Sequence, residues 1–201
     1  MADTTQVYER GNFDLKFSKI NDAGTGYDET INTISGLMEV SITFKQESAI
    51  IAADDNTDYA SFYGPLTGEG TLKLVTVPFA QYQNLMAVIE DTNSVLIFGS
   101  NENPVPLGMT FKTTGSDKSY NKFTINKVYL DTPSLNTVSL NKTDLTIRDF
   151  EIPIRVEPFY YTKTDESTGR VTYSLINSST HASIWTNVKD KIYIPDQSVV
   201  A

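Results

Sequence analysis

Residues 38–45 alternate apolar and polar side chains without interruption, and this pattern limits the fold more than any other feature of the sequence. Successive side chains of a β-strand point to opposite faces, so the segment has one face for a core and one for water. The apolar positions are Met38, Val40, Ile42 and Phe44. Similar alternation at residues 13–17, 71–75 and 150–157 predicts an antiparallel sheet with one polar face.

Shorter apolar runs and turn-forming residues extend this pattern along the chain. Further strands are predicted at residues 109–111, 123–129 and 171–175, with Phe123, Ile125 and Tyr129 on one face. Residues 115–118 and 164–169 have the composition of hairpin turns. The 3-4-3 spacing of Phe79, Tyr82, Met86 and Ile89 predicts a helix over residues 78–90, and a short helix is predicted at residues 182–188.

Together these elements predict a mostly β protein, an antiparallel β-sandwich or partly closed barrel with one flanking α-helix. No linker divides the chain and no internal repeat is present, so residues 1–201 are predicted to form a single domain. Residues 1–11 are polar and without period, which predicts an extended N-terminal arm, and residues 21–35 are predicted to form a loop. Eleven Tyr and ten Phe fit a strand-rich composition.

The net charge of −9 comes entirely from the first half of the chain. Residues 1–100 contain 14 acidic and 5 basic residues, whereas residues 101–201 contain 11 of each. No basic tract of the kind that binds nucleic acid is present. An acidic surface that maintains solubility and an acidic wall around a channel for a polyanion are both compatible with this distribution.

The sequence offers little for catalysis, and we expect no enzyme. His181 is the only histidine, cysteine is absent and no nucleophile-elbow motif occurs, so we expect no metal and no cofactor. The run from Asp54 to Asp58 begins like a calcium loop, but Tyr59 and Pro65 stand where Gly and Glu are required. Paired carboxylates for glycoside hydrolysis stay open as an alternative. The N-terminus is polar and the apolar runs are short, which predicts a protein made in a cytoplasm without a membrane segment.

Residues 34–55, ISGLMEVSITFKQESAIIAADD, resemble the signature region of the major tail proteins of long-tailed, siphovirus-like bacteriophages of Gram-positive hosts. In that family a Gly-Leu pair opens a long strand, a Gln-Ser-like segment follows, and an Ala-Asp-Asn turn leads on. The matching residues are Gly36, Leu37, Gln46, Ser48, Ala53, Asp54 and Asn56, and the inserted Asp55 departs from the pattern. Residues 1–5 resemble the N-terminal arm of the family. The segments at residues 59–64 and 70–74, the helix after Pro78, and the segments at 104–111 and 150–158 fall in the family's order, so the resemblance spans nearly the whole chain.

The resemblance implies a structural subunit of a tail tube in the virion, assembled in the host cytoplasm. Such subunits form homohexameric rings that stack around the tape measure protein, and DNA later passes through the lumen without specific binding. The resemblance is closer to flexible, non-contractile tails. It also implies an acidic lumen, because an acidic wall repels DNA and leaves a path of low friction.

The resemblance and the strand alternation together suggest residues for these roles. The lumen-facing candidates are Glu39, Glu47, Glu69, Glu151 and Glu157. Because Lys45, Lys73 and Arg155 share those faces, ion pairs between subunits are an alternative role for these glutamates. The candidates for contacts between rings are Asp3, Thr4, Thr5, Tyr8, Arg10 and Tyr27.

Periodicity alone does not distinguish such a tube from a monomeric sandwich. The runner-up interpretation is a virion or cell-surface β-sandwich module that binds carbohydrate or a receptor. Only one tryptophan, Trp185, is present to stack on sugars, although the many tyrosines could substitute.

Overall fold

The structure, a computed structural model, describes residues 9–53, 56–78, 81–86, 88–97, 104–131 and 150–195. Two helices occur in these ranges, α1 (Tyr82–Leu85) and α2 (Ala182–Val188). The strands there are β1 (Glu9–Lys19), β2 (Asn32–Ile34), β3 (Leu37–Ala53), β4 (Asn56–Leu74), β5 (Ile89–Glu90), β6 (Leu96–Ile97), β7 (Leu107–Gly115), β8 (Tyr120–Leu130), β9 (Phe150–Val156), β10 (Phe159–Thr162), β11 (Thr168–Val171) and β12 (Tyr173–Asn177).

One antiparallel sheet contains most of these strands. Its order is β2-β1-β7-β8-β9-β4-β3, and β12 pairs with β8 outside this path. Two small sheets, β10-β11 and β5-β6, complete the described strands. The longest elements, β3 and β4, form a hairpin that is paired from Leu37↔Leu74 to Ala53↔Asn56.

Strand β8 changes its pairing partner midway along its length. Its first part pairs with β12 as far as Ile125, and its last part pairs with β9 from Val128 onward. The register against β7 shifts in the same region. Between the pairs Met109↔Ile125 and Leu107↔Val128, two residues of β8 stand against one residue of β7. The shift reverses which face the later side chains occupy. Ile125 and Val128 both lie in the core, whereas Tyr129 is only half-buried, so the prediction that Tyr129 shares a face with Ile125 is wrong.

The core lies between the two halves of the bent sheet. Leu15 and Phe17 from β1 pack in one apolar cluster with Leu72 from β4 and Ile152 from β9, all essentially without exposure. Leu85 of α1 joins the same cluster. The core thus joins β1 and β7 on one side of the sheet order with β4 and β9 on the other, and β8 lies between them in that order.

The predicted fold class is confirmed, as a mostly β antiparallel sandwich whose sheet is not closed into a barrel. Helix α2 covers the predicted residues 182–188. Both predicted hairpin turns are also confirmed, between β7 and β8 and between β10 and β11.

Three predicted boundaries are wrong. The helix predicted over residues 78–90 is restricted to Tyr82–Leu85, because Ile89–Glu90 pairs with Leu96–Ile97 around a turn that the Asp91 side chain closes. The predicted arm at residues 1–11 is too long, since residues 9–11 belong to β1, and residues 1–8 lie outside the described ranges. The predicted loop at residues 21–35 contains β2, which pairs with β1 and buries Ile34.

Phe13 also departs from the predicted alternation with Leu15 and Phe17. The register of β1 against β7 shifts between Phe13 and Lys16, and Asp14 has a positive φ of 57°. The extra residue turns Phe13 away from the core. On that outer side, its ring meets the Tyr120 ring edge to face.

Candidate assembly surfaces

The polar sides of four neighbouring strands form one continuous surface, which we call the charge-balanced face. Cross-strand register places Glu39 beside Lys73 and Lys73 beside Glu151. Along the same strands, Glu69 stands beside Arg155, and Arg155 beside Tyr129 of β8. The charged members of the face are Glu39, Lys45, Glu69, Lys73, Lys127, Glu151, Arg155 and Glu157. The structure thus brings four of the five lumen candidates onto one face.

Acidic and basic groups alternate on this face at ion-pair distance. Lys73 Nζ lies 3.2 Å from Glu39 Oε2, and Lys127 Nζ lies 3.0 Å from Glu157 Oε2. The pairs Lys45–Glu69 and Arg155–Glu157 are longer, at 3.7 and 3.9 Å. These pairs join the four cations to three of the carboxylates, and Glu151 stands beside Lys73 in the register. The eight charged residues named above carry no net charge. The excess of negative charge expected for an acidic lining is not present among them.

Tyr129 and Lys127 of β8 belong to the charge-balanced face but were missed by sequence reasoning. Lys127 Nζ lies 5.5 Å and the Arg155 guanidinium 5.0 Å from the centroid of the Tyr129 ring. Partial burial lowers the pKa of Lys127, but its hydrogen bond to Glu157 raises it, and the net pKa lies above the ordinary value. The register shift in β8 put both residues on the unexpected side, and no local residue pattern signals that shift.

The hairpin of β3 and β4 has two parts with different surroundings. We call residues 37–46 with 66–74 the inner half, where β4 from Gly68 to Leu74 also pairs with β9. We call residues 48–53 with 56–63 the outer half, which begins beyond a register shift between Gln46 and Ser48. Glu47, the fifth lumen candidate, lies at this shift and is exposed.

Large apolar side chains are exposed on the outer half of the hairpin. Ile50, Ile51, Phe62 and Tyr63 are between 49% and 67% exposed. Ile50 and Ile51 are consecutive in a strand, so they point to opposite faces of the ribbon. Within the described residues, β3 pairs only with β4, and the side chains described in the outer half at residues 48–51 and 61–63 are exposed.

The candidates for contacts between rings fall into three groups, which are four residues outside the described ranges, Arg10 and Tyr27. Asp3, Thr4, Thr5 and Tyr8 lie outside the described residues. Arg10 lies in β1 opposite Thr114 rather than in an arm.

Tyr27 makes its contacts inside this chain instead of projecting from a loop. Its ring stacks on Phe159 at 5.4 Å between centroids, and its hydroxyl donates to the Asn126 carbonyl oxygen at 2.8 Å. Burial raises the pKa of the Tyr27 hydroxyl. The geometry therefore does not favour Tyr27 as a contact between rings.

A cavity of about 600 Å³ lies beside Tyr129, outside the hairpin. Its lining residues include Tyr129 and Tyr160, with Asn21, Asp22 and Lys127 as polar members. Rings next to hydrogen-bonding groups are the surroundings in which proteins hold small polar ligands.

The groups considered for chemistry are scattered. His181 is exposed before α2, where its Nδ1 accepts a hydrogen bond from the Asn177 N–H at 3.2 Å. Asp54 and Asp55 lie outside the described residues. The described ranges contain no group of three or more metal-ligating side chains, and no helix in them is long and apolar enough to cross a membrane.

No protein-family model and no curated protein matches this chain.

Proposed function

We propose that this protein is a structural subunit that assembles with copies of itself, as stacked homohexameric rings of a phage tail tube. The observation that carries the proposal is the outer half of the β3–β4 hairpin. The proposal assigns the chain no catalytic role and no cofactor, and it places the protein in the tail of the virion. The tail-tube identity rests on the resemblance of residues 34–55 to the major tail proteins.

The composition of the outer half supports burial by another molecule. Strands that are covered on both faces read as continuous apolar runs, whereas strands covered on one face alternate. Residues 49–53, AIIAA, form such a run, although Ile50 and Ile51 are exposed in the single chain. A two-stranded ribbon is marginally stable in water by itself. Packing of neighbouring copies around the outer half would cover both of its faces.

The free edge of β3 supports the same proposal. An edge strand of 17 residues presents unpaired backbone groups that favour pairing with another strand. At the opposite end of the sheet, β2 has only three residues. Closure of a ring of subunits would remove such edges from solvent.

The charge-balanced face is our proposed wall of the DNA conduit. A basic wall would bind DNA by releasing counterions, whereas a wall whose cations are already paired gains little from phosphate contacts. Exposed charges are screened within roughly 8 Å at physiological salt, so the pairing must be local, as it is between Lys73 and Glu39. During assembly the same lumen would hold the tape measure protein.

The test compares the wild-type chain with a double variant, Ile50→Ser with Phe62→Ser. At high protein concentration we expect the wild type to form long hollow tubes in negative-stain micrographs. The variant should stay monomeric, with thermal stability within a few degrees of the wild type, because the two side chains are exposed in the subunit. Val95→Ser is the matched control, since Val95 is equally exposed but lies in the turn before β6. A wild type that is monomeric at every concentration, or a double variant that assembles normally, would refute the proposal.

A second candidate function is carbohydrate binding by a virion or cell-surface module. The cavity lined by Tyr129 and Tyr160 is the observation that favours it. Binding of wild-type monomer to a glycan panel, abolished by Tyr160→Ala, would select this function, and absence of binding would eliminate it.

A further inference from the structure

The end of α2 and the segment after it cross the face of β1, β7 and β8 that lies opposite the apolar core. We call residues 188–193 the C-terminal strap. Val188 is buried, and the Ile192 side chain lies so close to Gly108 that a Cβ atom there would be 2.8 Å from it. The Asn126 amide nitrogen donates to the Tyr193 carbonyl oxygen at 2.7 Å. Side chains of the sheet therefore hold the strap partly through its backbone.

Lys122 of β8 is the central contact beneath the strap. Its side chain is fully buried, and Nζ donates to the carbonyl oxygens of Val188 and Lys191. These carbonyls lie at and just after the end of α2. Lysine is almost never fully buried without a paired charge, so this position requires a physical explanation.

The charges around Lys122 do not balance if its amine is protonated. Asp190 Oδ1 lies 2.8 Å from Lys16 Nζ and 3.3 Å from Lys112 Nζ, and Asp14 also pairs with both lysines. Among the described residues, no carboxylate lies within ion-pair distance of Lys122 itself. Three amines thus share two carboxylates, and the cluster is neutral only when Lys122 is neutral. The two N–H bonds of a neutral amine also match the two carbonyl acceptors.

The pKa of Lys122 agrees with this geometry. Burial, with the charges of Lys112 and Lys16, lowers its pKa to about 7, although Asp190 and Asp14 act in the opposite direction. With the strap released, Lys122 would contact water and its pKa would return towards the ordinary 10.5. The released state then binds one more proton than the docked state at pH values between about 7 and 10.5. Docking is therefore strongest at alkaline pH and weakens as the pH falls through this window.

The surface beneath the strap is suited to contact with water. Thr124 Oγ1, Ser174 Oγ and Asn126 Oδ1 are buried without a hydrogen-bond partner in the described part of the chain. Thr124 stands beside Ser174 in the register of β8 and β12. Release of the strap would hydrate Asn126 and Lys122, which it contacts, whereas release from an apolar face would expose a surface prone to aggregation.

We propose that the C-terminal strap is a proton-linked latch, which releases from the sheet when the amine of Lys122 takes up a proton. The proposal is independent of self-assembly, because the strap contacts β1, β7 and β8 and leaves the β3–β4 hairpin untouched. The charged groups that face the latch are Lys16 and Asp14 on β1, Lys112 on β7 and Asp190 on the strap itself.

Trypsin provides the test, since Lys189 and Lys191 lie beside the bonded carbonyls and are cut only in a released strap. The rate of cleavage after Lys189 and Lys191 in the full chain is measured between pH 9 and pH 7.5. It is divided by the rate at the same two residues in a free peptide of residues 186–195 at the same pH. We expect the normalised rate to rise up to about tenfold per pH unit as the pH falls. A rate independent of pH would refute the latch.

Two variants separate the latch from general effects of charge. Lys122→Met has no proton to bind, so its normalised cleavage should lose the pH dependence, whatever its absolute rate. The matched control, Lys45→Met, removes an exposed lysine on the charge-balanced face and should keep the wild-type slope. An unchanged slope in Lys122→Met would overturn the proposal. If that variant does not fold, NMR titration of the wild-type Lys122 side chain decides: a midpoint near 7 supports the latch, and one near 10.5 overturns it.

Discussion

The inner half of the β3–β4 hairpin alternates apolar and polar residues, whereas the outer half carries consecutive apolar residues with no element of the described chain against them. In the inner half, Ile42 and Phe44 pack towards the core while Thr43 and Lys45 face solvent. In the outer half, Ile50 and Ile51 expose both sides of the ribbon. One hairpin thus combines the pattern of a strand buried on one face with that of a strand buried on two. The comparison teaches that the inner half stabilises the fold of the chain, whereas the outer half adds little to it and is the part that the proposed assembly would cover.

The largest expected effect comes from truncating a core residue of the inner half. Leu72→Ala removes a fully buried side chain and should lower the free energy of unfolding by about 3 kcal/mol. Phe62→Ala in the outer half should change it by less than about 0.5 kcal/mol, because the ring is largely exposed. Chemical denaturation of dilute monomer measures both. Similar losses in the two variants would contradict the division of the hairpin.

Two glycines sharpen the comparison at the level of the backbone. A Cβ at Gly70 of the inner half would lie 1.8 Å from the Ser41 carbonyl oxygen, so Gly70→Ala must displace β3 and should cost about 2 kcal/mol. At Gly64, near the outer half, the nearest atom would be 3.4 Å away, an ordinary contact. Gly64→Ala should therefore leave the denaturation midpoint nearly unchanged. Equal sensitivity at both positions would show that the backbone of the inner half is no more constrained than the segment beside the outer half.

The smallest expected effect concerns ion pairs along the hairpin. Lys73→Gln removes a 3.2 Å pair with Glu39 in which the lysine is 31% exposed, and it should cost about 0.5 kcal/mol at low salt. Lys45→Gln removes a longer pair whose lysine is 70% exposed, so we expect almost no change. Thermal melts at low and high salt separate the two, since the Lys73 effect should shrink with added salt. A larger effect for Lys45 would reverse the ranking.

Sequence reasoning found those features that depend on residues close together in the chain. Alternation placed Glu39, Glu69, Glu151 and Glu157 on polar faces, and cross-strand register then brought them onto one surface. The hairpin turns and α2 were likewise predicted from local residues.

Features that depend on distant partners could not be predicted. The register shifts in β1 and β8 arise where neighbouring strands begin, end or change, and they turned Phe13 and Tyr129 to unexpected faces. The helical spacing over residues 78–90 predicted a helix as far as residue 90. The pairing of Ile89 with Ile97 ends it earlier, and the pattern of neighbouring residues contains no information about that pairing. No local residue pattern signals the burial of Lys122, because the strap that buries it comes from 66 residues further along the chain.

The switch of β8 from β12 to β9 has a mechanical consequence. A strand hydrogen-bonded into both layers of a sandwich acts as a shared tie, so neither layer can slide or peel away without shearing its ladder. Force applied across the subunit should therefore be resisted until the whole domain yields in one step. In the proposed assembly, a chain built in this way would transmit tension without local fraying.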